Sequence, residues 1–451
     1  MEPEASRMSD TLRFDWEWLA YPELPAEEAV TFADLSIRLN DKAMTRLYDV
    51  AAKTERDNLF AAAYPLAQFL AENWWRIRWE PAPASLSNAG PQWRLAHNIA
   101  AAGAGYVWPN ITFHGDGERM FMHVGPHTSE SSAVQFVSEG NGVLDAAMFE
   151  AEADRFMEGV LARLQACGHP DTELEQLWRA VQAERSSNED CERRRLEAMA
   201  GFDPDEAPEA MLDELLQLEQ RLGVSAIREL AAASRANTLD HVRTLEEALC
   251  ARGLRYQVPD TSRMRIEWPA PPWRRAVEVA KAARQAWGLN NGPLDNTQLA
   301  AIVDLPREQL DSSAPEAVPY SASLRGGEEG DRLVFRTGHR HGRRFAIGRL
   351  MGDAFYSPGE GGALAAATDA RTGRQKFQRA FAQELLCPFE ALSDFLNLGQ
   401  DWDACDDITP PNEDRIEEAA EYFDVSPVLV QSTLVNHNVL PRDVLEITDA
   451  A

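Results

Sequence analysis

The stretch 343-RRFAIGRLMGDAFYS-357 decides how the C-terminal part of this chain is interpreted. Its pattern predicts a helix over residues 343–356, and a second helix is predicted over residues 371–396. Arg349 and Asp353 stand four residues apart, so they share one face of the first helix. Opposite charges at this spacing predict an ion pair across one helical turn.

The segments on either side of this helix follow one another in a characteristic order. Before it come a helix, a turn and a second helix capped near Asp295 or Thr297, and then a short hairpin in 320-YSASLRGGEEGDRLVFR-336. After it come 374-RQKFQRAFAQELLCP-388 and the helix, turn and helix of 416-IEEAAEYFDVSPVLVQSTLVNHNVL-440.

This order resembles the ImmA/IrrE-like metallopeptidases, whose zinc-binding helix runs roughly R-F-x-x-A-H-E-x-G-H. The resemblance covers roughly 170 residues, from about 273 to 440. The family's F-A-x-E-L-L-x-P helix is matched by Phe381, Ala382, Glu384, Leu385, Leu386 and Pro388. The resemblance implies a zincin-like fold for this part of the chain.

The same resemblance indicates that the zinc chemistry has been lost. It places Arg349 at the first zinc histidine, Leu350 at the general-base glutamate and Asp353 at the second histidine. The third ligand falls on the stretch from Gln375 to Gln378, which contains no acid. An arginine side chain has no lone pair for zinc, and leucine cannot take a proton from metal-bound water. We therefore expect no catalytic residue, no metal and no cofactor at these positions.

A relocated metal site is the alternative. His339 and His341 precede the helix as an H-x-H pair, and Asp353, Glu384 and Cys387 are conceivable further ligands if the fold brings them together. The competing interpretation of the H-x-H pair is an ordinary surface loop.

Basic residues are concentrated between residues 325 and 379. Eleven basic residues stand there against six acidic ones, although the whole chain carries a net charge of −29. The excess predicts either ion pairs with the chain's own acidic tail after Asp401 or a site for a phosphate, a nucleotide, nucleic acid or an acidic partner segment. Residues 359-GEGG-362 could add backbone amides, but they lack the lysine and spacing of a P-loop. The candidate binding residues are Arg336, Arg340, Arg343, Arg344, Arg374 and Arg379.

The N-terminal part mixes strand and helix patterns. The segment 30-VTFADLSIRLN-40 alternates like a half-buried strand, with Ala33, Leu35, Ile37 and Leu39 on one face. A helix in 64-YPLAQFLAENWWRIRWE-80 is predicted to run into a Trp-rich strand. Further along, a stripe of apolar residues predicts an amphipathic helix: Phe149, Ala153, Phe156, Val160 and Leu164.

The clearest hairpin is 110-NITFHGDGERMFMHV-124, with its turn placed at Asp116-Gly117. This turn pairs His114 with Arg119. His114 and His123 are then expected about 13 Å apart, too far to share a metal ion, and we interpret them as surface histidines.

These patterns predict a mainly helical α+β protein. We expect a mixed α/β domain over residues 1–145, a helical region over 146–255, a Pro-rich linker over 256–272, and an ImmA/IrrE-like domain with an acidic tail over 273–451.

Composition narrows the function classes. A net charge of −29 and a pI near 4.7 argue against a whole-surface nucleic-acid binder. The five scattered cysteines, the absence of an apolar run long enough to span a bilayer, and an acidic start unlike a signal peptide indicate a cytoplasmic protein that is not membrane-bound. We find no nucleophile-elbow, dinucleotide-binding or kinase motif.

The expectation that follows is a non-catalytic regulatory protein that binds a repressor or another protein partner in stress, mobile-element or phage-related control. Residues 1–145 would act as a sensor or docking module. The alternatives are an active metal-dependent hydrolase with a relocated metal, or a nucleotide- or nucleic-acid-binding protein that uses residues 325–379. The oligomeric state stays open.

Overall fold

The computed structural model describes residues 9–21, 23–129, 132–259, 270–312, 317–326, 330–356, 364–398 and 410–441. Several predicted features lie outside these residues: most of the Pro-rich linker, the 359-GEGG-362 segment, and the acids from Asp401 to 409. The chain divides into two compact units, Met1–Leu216 with Ala370–Thr372, and Gln217–Asp369 with Gly373–Ala451.

Helices account for 53% of the structure and strands for 16%, so the fold is a mainly helical α+β fold, as predicted. The division between the two units falls inside helix α8 (Glu209–Leu222), within the region predicted to be helical. Among the described helices, none combines the length and apolar character needed to cross a membrane.

The described residues of the first unit form three small antiparallel sheets. Their strand orders are β1-β2-β3, β5-β4-β9 and β10-β8-β7, and β6 also pairs with β2, at the end away from β3. The strands are β1 (Leu12–Trp18), β2 (Phe32–Leu39), β3 (Lys42–Ala43), β4 (Leu47–Asp49), β5 (Thr54–Arg56), β6 (Leu59–Ala62), β7 (Asn110–Gly115), β8 (Arg119–Gly125), β9 (Val134–Phe136) and β10 (Gly140–Asp145).

The helices of this unit pack on the sheets and form one apolar core with them. They are α1 (Ala26–Val30), α2 (Ala63–Glu72), α3 (Trp74–Trp79), α4 (Pro91–His97), α5 (Ala146–Ala166), α6 (Glu173–Ser186) and α7 (Asn188–Met199). The alternation predicted in β2 and the apolar stripe predicted in α5 are confirmed, because every residue of both sets is buried.

The predicted Trp-rich strand is wrong, since residues 74–79 form helix α3. Trp74 and Trp75 are buried in the core from this helix, and Arg76 pairs with Glu80 one helical turn away. Packing of the aromatic side chains overrides their preference for strands, which depends strongly on context.

In the second unit, the described strands form one antiparallel sheet of order β11-β13-β12-β14. Its strands are β11 (Leu254–Arg255), β12 (Ser321–Leu324), β13 (Arg332–Val334) and β14 (Leu364–Ala367). The helices are α9 (Val224–Ser234), α10 (Thr238–Arg252), α11 (Pro272–Ala286), α12 (Asn296–Ile302), α13 (Arg307–Asp311), α14 (Arg340–Tyr356), α15 (Gly373–Leu386), α16 (Phe389–Leu396), α17 (Glu413–Phe423) and α18 (Pro427–Asn436).

Most local predictions for this unit are confirmed. Asp295 caps α12 through a capping box with Gln298, and β12 pairs with β13 as the predicted hairpin. The single helix predicted over residues 371–396 is wrong, because it breaks into α15 and α16 at Pro388. Proline has no backbone N–H and keeps the residue before it from continuing a helix.

Two glycines let α14 and α15 approach each other closely. A Cβ atom on Gly348 would lie 2.9 Å from the Cβ of Ala382, and one on Gly352 would lie 3.0 Å from the Cβ of Phe381. The sequence G-R-L-M-G therefore sets the spacing of the helix pair that carries residues 349 and 353.

Replacing Gly348 with alanine should lower the free energy of unfolding. Overpacking costs about 1–3 kcal/mol, which outweighs the roughly 1 kcal/mol that alanine gains over glycine inside a helix. Urea unfolding measures the change. The double variant Gly348→Ala/Ala382→Gly restores the lost space and should be no less stable than Ala382→Gly alone. Equal destabilisation by Gly348→Ala in both backgrounds would contradict the close contact.

Candidate functional site

The three positions that the resemblance assigns to zinc chemistry lie on α14 and point into the second unit. Arg349, Leu350 and Asp353 are exposed by only 7%, 1% and 2%. Two charged side chains are therefore enclosed within an apolar core, where each needs partners to offset the loss of hydration.

Asp353 is held by three side chains from outside its own helix. Arg374 binds it through two parallel contacts, Nε to Oδ1 at 2.6 Å and Nη2 to Oδ2 at 2.8 Å. Arg325, directly after β12, donates to Oδ2 at 2.9 Å, and Gln378 donates to Oδ1 at 2.7 Å. Burial opposes ionisation, but the charges of both arginines and these hydrogen bonds outweigh it and hold the pKa of Asp353 below its usual value.

The side chain of Arg349 bonds to groups other than Asp353. Its Nη2 donates to the backbone oxygen of Thr368 and to Oε1 of Gln375. Burial, with the nearby charge of Arg379, lowers the pKa of Arg349 to about 9, so the guanidinium stays protonated at neutral pH. The predicted ion pair with Asp353 is wrong, because Arg374 and Arg325 occupy both carboxylate oxygens.

Gln375 also closes part of the edge of the sheet. Its Oε1 accepts from Thr368 N at 3.0 Å, and its Nε2 donates to Ala366 O at 3.0 Å. The side-chain amide thus bonds to β14 and the residue after it as the peptide group of a neighbouring strand would. Gln378 adds a second contact to Ala366 O at 3.3 Å.

Zinc does not fit these residues. Arg349 offers no lone pair, Leu350 is apolar, and the oxygens of Asp353 already accept four hydrogen bonds. The stretch on α15 expected to carry the third ligand does face α14, but it does so through the amides of Gln375 and Gln378.

The histidines proposed for a relocated metal lie elsewhere in the unit. The rings of His339 and His341 have centroids 5.4 Å apart, and His341 Nε2 lies 3.3 Å from Asp424 Oδ1. Glu384 accepts from Phe389 N at 3.2 Å, and burial raises the pKa of both Glu384 and Cys387. Across the described parts of the chain, no three His, Cys, Asp or Glu side chains are grouped to hold a metal ion.

The family-motif residues on α15 mainly build the core. Phe381, Ala382, Leu385 and Leu386 are fully buried, and Pro388 precedes the first residue of α16.

Internal contacts occupy the candidate binding arginines. Arg344 is fully buried, and the loss of hydration lowers the pKa of its guanidinium. Two of the six pair with Asp424, which follows Asp401 in the chain, as the internal-pairing interpretation expects. The partners are Asp369 for Arg336, Asp424 for Arg340 and Arg344, the backbone oxygens of Gln309 and Thr337 for Arg343, Asp353 for Arg374, and Thr368 O for Arg379.

In the first unit the hairpin register differs from the prediction. Asp116 N bonds to Arg119 O at 3.1 Å, and Asp116 Oδ1 accepts from Arg119 N at 2.8 Å, so the turn is centred on Gly117 and Glu118. An Asp that caps the first position of a turn in this way is common. His114 consequently pairs with Phe121, not Arg119.

This register brings the two histidines together, which corrects the predicted separation. His114 Nε2 lies 3.1 Å from His123 Nε2, because the two residues are diagonal neighbours on one face of the sheet. Sequence reasoning missed this pair because it depended on where a single turn was placed.

Comparison with known proteins gives no family for the chain, since no protein-family model matches it and no curated protein matches it.

Removing an arginine that pairs with a buried carboxylate should lower the free energy of unfolding far more than removing an arginine from an exposed ion pair. We expect Arg374→Met to lower the free energy of unfolding by about 3–5 kcal/mol, because it leaves Asp353 buried with one arginine fewer. Arg340→Met is the matched control. Its side chain is 50% exposed, and the loss of such a pair costs about 0.2–1 kcal/mol. Urea unfolding of both variants distinguishes them, and equal losses would contradict the buried role of Arg374.

Proposed function

We propose that this chain is a non-catalytic regulatory protein that binds a protein partner through a domain of ImmA/IrrE type. The partner class that the resemblance implies is a repressor. Binding without cleavage is the activity that best fits the residues of the second unit.

The observation that carries the proposal is the network around Asp353. The positions that would hold a metal and activate water instead carry Arg349, Leu350, Asp353, Gln375 and Gln378. Asp353 accepts hydrogen bonds from Arg325, Arg374 and Gln378, and Arg349 donates to Gln375. Such a network contributes to a fixed arrangement of α14, α15 and β14, and it offers neither a nucleophile nor a proton acceptor near neutral pH. A rigid scaffold of this kind is suited to recognition.

The arrangement of the elements supports the same proposal. The residues expected to supply the third ligand face α14, as the resemblance implies, although their chemistry has changed. The arginines of residues 325–379 are engaged with the chain's own carboxylates and carbonyl oxygens, so they give little support to nucleic acid as the partner.

The proposal predicts binding without proteolysis. The full-length chain is used to isolate a partner from the source cells, and the purified pair is then incubated with zinc or with a chelator. We expect a complex in which mass spectrometry finds both chains intact under both conditions. Partner fragments that form with zinc and disappear with chelator would overturn the proposal and favour a metal-dependent hydrolase.

The variant His339→Asn/His341→Asn separates the two outcomes further. If the chain is a binder, the complex and the intact masses should be unchanged. If the partner is instead cleaved at a metal site formed by these histidines, this variant should no longer cleave it, although Asp353 and Arg374 are unaltered.

A further inference from the structure

Three neighbouring strands of the first unit present polar side chains on one face of a sheet. His114 lies on β7, His123 on β8 and Asn141 on β10. The register places His123 opposite Asn141 on one side and opposite Thr112 on the other, two residues from His114. Backbone pairing, rather than a mobile loop, therefore fixes the positions of all three side chains.

The ring nitrogens of His114 and His123 lie close together, and a contact to Asn141 orients the ring of His123. The two Nε2 atoms are 3.1 Å apart, and His123 Nδ1 lies 2.7 Å from Asn141 Oδ1. An amide oxygen accepts only, so this contact places the proton of His123 on Nδ1 and leaves a lone pair on Nε2. Holding the other ring nitrogen in this way is how proteins orient a metal-ligating histidine.

We propose that His114 and His123 form a binding site for one divalent transition-metal ion, with Asn141 orienting His123. Metal–nitrogen distances of about 2.0–2.1 Å and the observed separation of 3.1 Å give an angle of about 100° at the metal, suitable for two adjacent ligands. Binding requires the proton between the two Nε2 atoms to move to Nδ1 of His114, and it requires the rings to turn so that both lone pairs meet at the ion.

The ligand set indicates which metal is preferred. Two imidazoles favour Cu²⁺ and Ni²⁺ over harder ions such as Mg²⁺ or Ca²⁺. No third His, Cys, Asp or Glu joins the pair among the residues that the structure describes. The site is independent of the proposed function, because it lies in the first unit and uses none of the residues near Asp353.

Access to the site is from the side of β8 and β10. His114 is 6% exposed, whereas His123 is half-buried and Asn141 is exposed. His114 also stacks on Phe121 with ring centroids 5.0 Å apart, so its ring is supported on one side. An ion would therefore reach the pair from the exposed side of His123 and Asn141, and the two rings would turn to bind it.

Calorimetric titration of the metal-stripped full-length chain with Ni²⁺ tests the proposal. We expect one equivalent of Ni²⁺ per chain, and His123→Asn should weaken binding by at least about 100-fold since it removes a ligand. Asn141→Ala should weaken it by about 10-fold, as loss of an orienting contact does. The control is the variant His339→Asn/His341→Asn, which removes another pair of histidines that lie next to each other. Its affinity for Ni²⁺ should equal that of the unaltered chain.

Electron paramagnetic resonance of the Cu²⁺ complex of the unaltered chain identifies the ligands without relying on a variant. We expect hyperfine couplings to the nitrogens of two imidazoles in the unaltered chain and of one imidazole in His123→Asn. Absence of stoichiometric binding to the unaltered chain would overturn the proposal. So would unchanged binding in His123→Asn, or loss of binding only in the His339/His341 variant. Circular dichroism of His123→Asn verifies that the variant is folded.

Discussion

The burial of Asp353 is the constraint on which the second unit depends. A carboxylate in an apolar core is stable only when its charge is compensated, and here two arginines and an amide converge on its two oxygens. This requirement fixes where Arg374 and Arg325 must lie, and hence how α15 and the end of β12 are placed around α14. Arg349, the other buried charge on α14, is left to bond to Gln375 and the end of β14.

The close approach of α14 and α15 and the ionic network depend on each other. Gly348 and Gly352 bring the two helices close enough for Gln375 and Gln378 on α15 to contact α14. The side-chain amides of these two glutamines link α14 to the edge strand β14. The positions that the proposed resemblance would assign to zinc chemistry thus hold groups that bind one another or neighbouring side chains. This is the physical basis for proposing recognition without catalysis.

Local patterns were enough to predict much of the fold. The alternation in β2, the apolar stripe of α5 and the Asp295 cap each depend on residues close in sequence, and each is confirmed. The errors arose where tertiary context or one turn decided the outcome. Trp74 and Trp75 are buried from a helix, and the partners of Asp353 come from residues 21 and 28 positions away, which helical spacing cannot reveal.

The hairpin shows how a small error in register changes a site. Placing the turn at Asp116-Gly117 separates His114 from His123, whereas centring it on Gly117 and Glu118 brings their Nε2 atoms to 3.1 Å. The sequence contains the relevant signal, because Asp116 can cap the turn, but several turn types satisfy the same residues. A pair of histidines on adjacent strands therefore remains hidden until the pairing is known.

We infer that coupling between Asp353 and Arg374, and not a metal ion, stabilises the second unit. A double-mutant cycle with Asp353→Leu, Arg374→Leu and the double variant, followed by urea unfolding with and without chelator, tests it most directly. We expect a coupling free energy of about 1.5–3 kcal/mol that is the same with and without chelator. Two results would contradict this inference. One is that the effects of the single variants add to within about 0.5 kcal/mol; the other is that the coupling is found only when zinc is present.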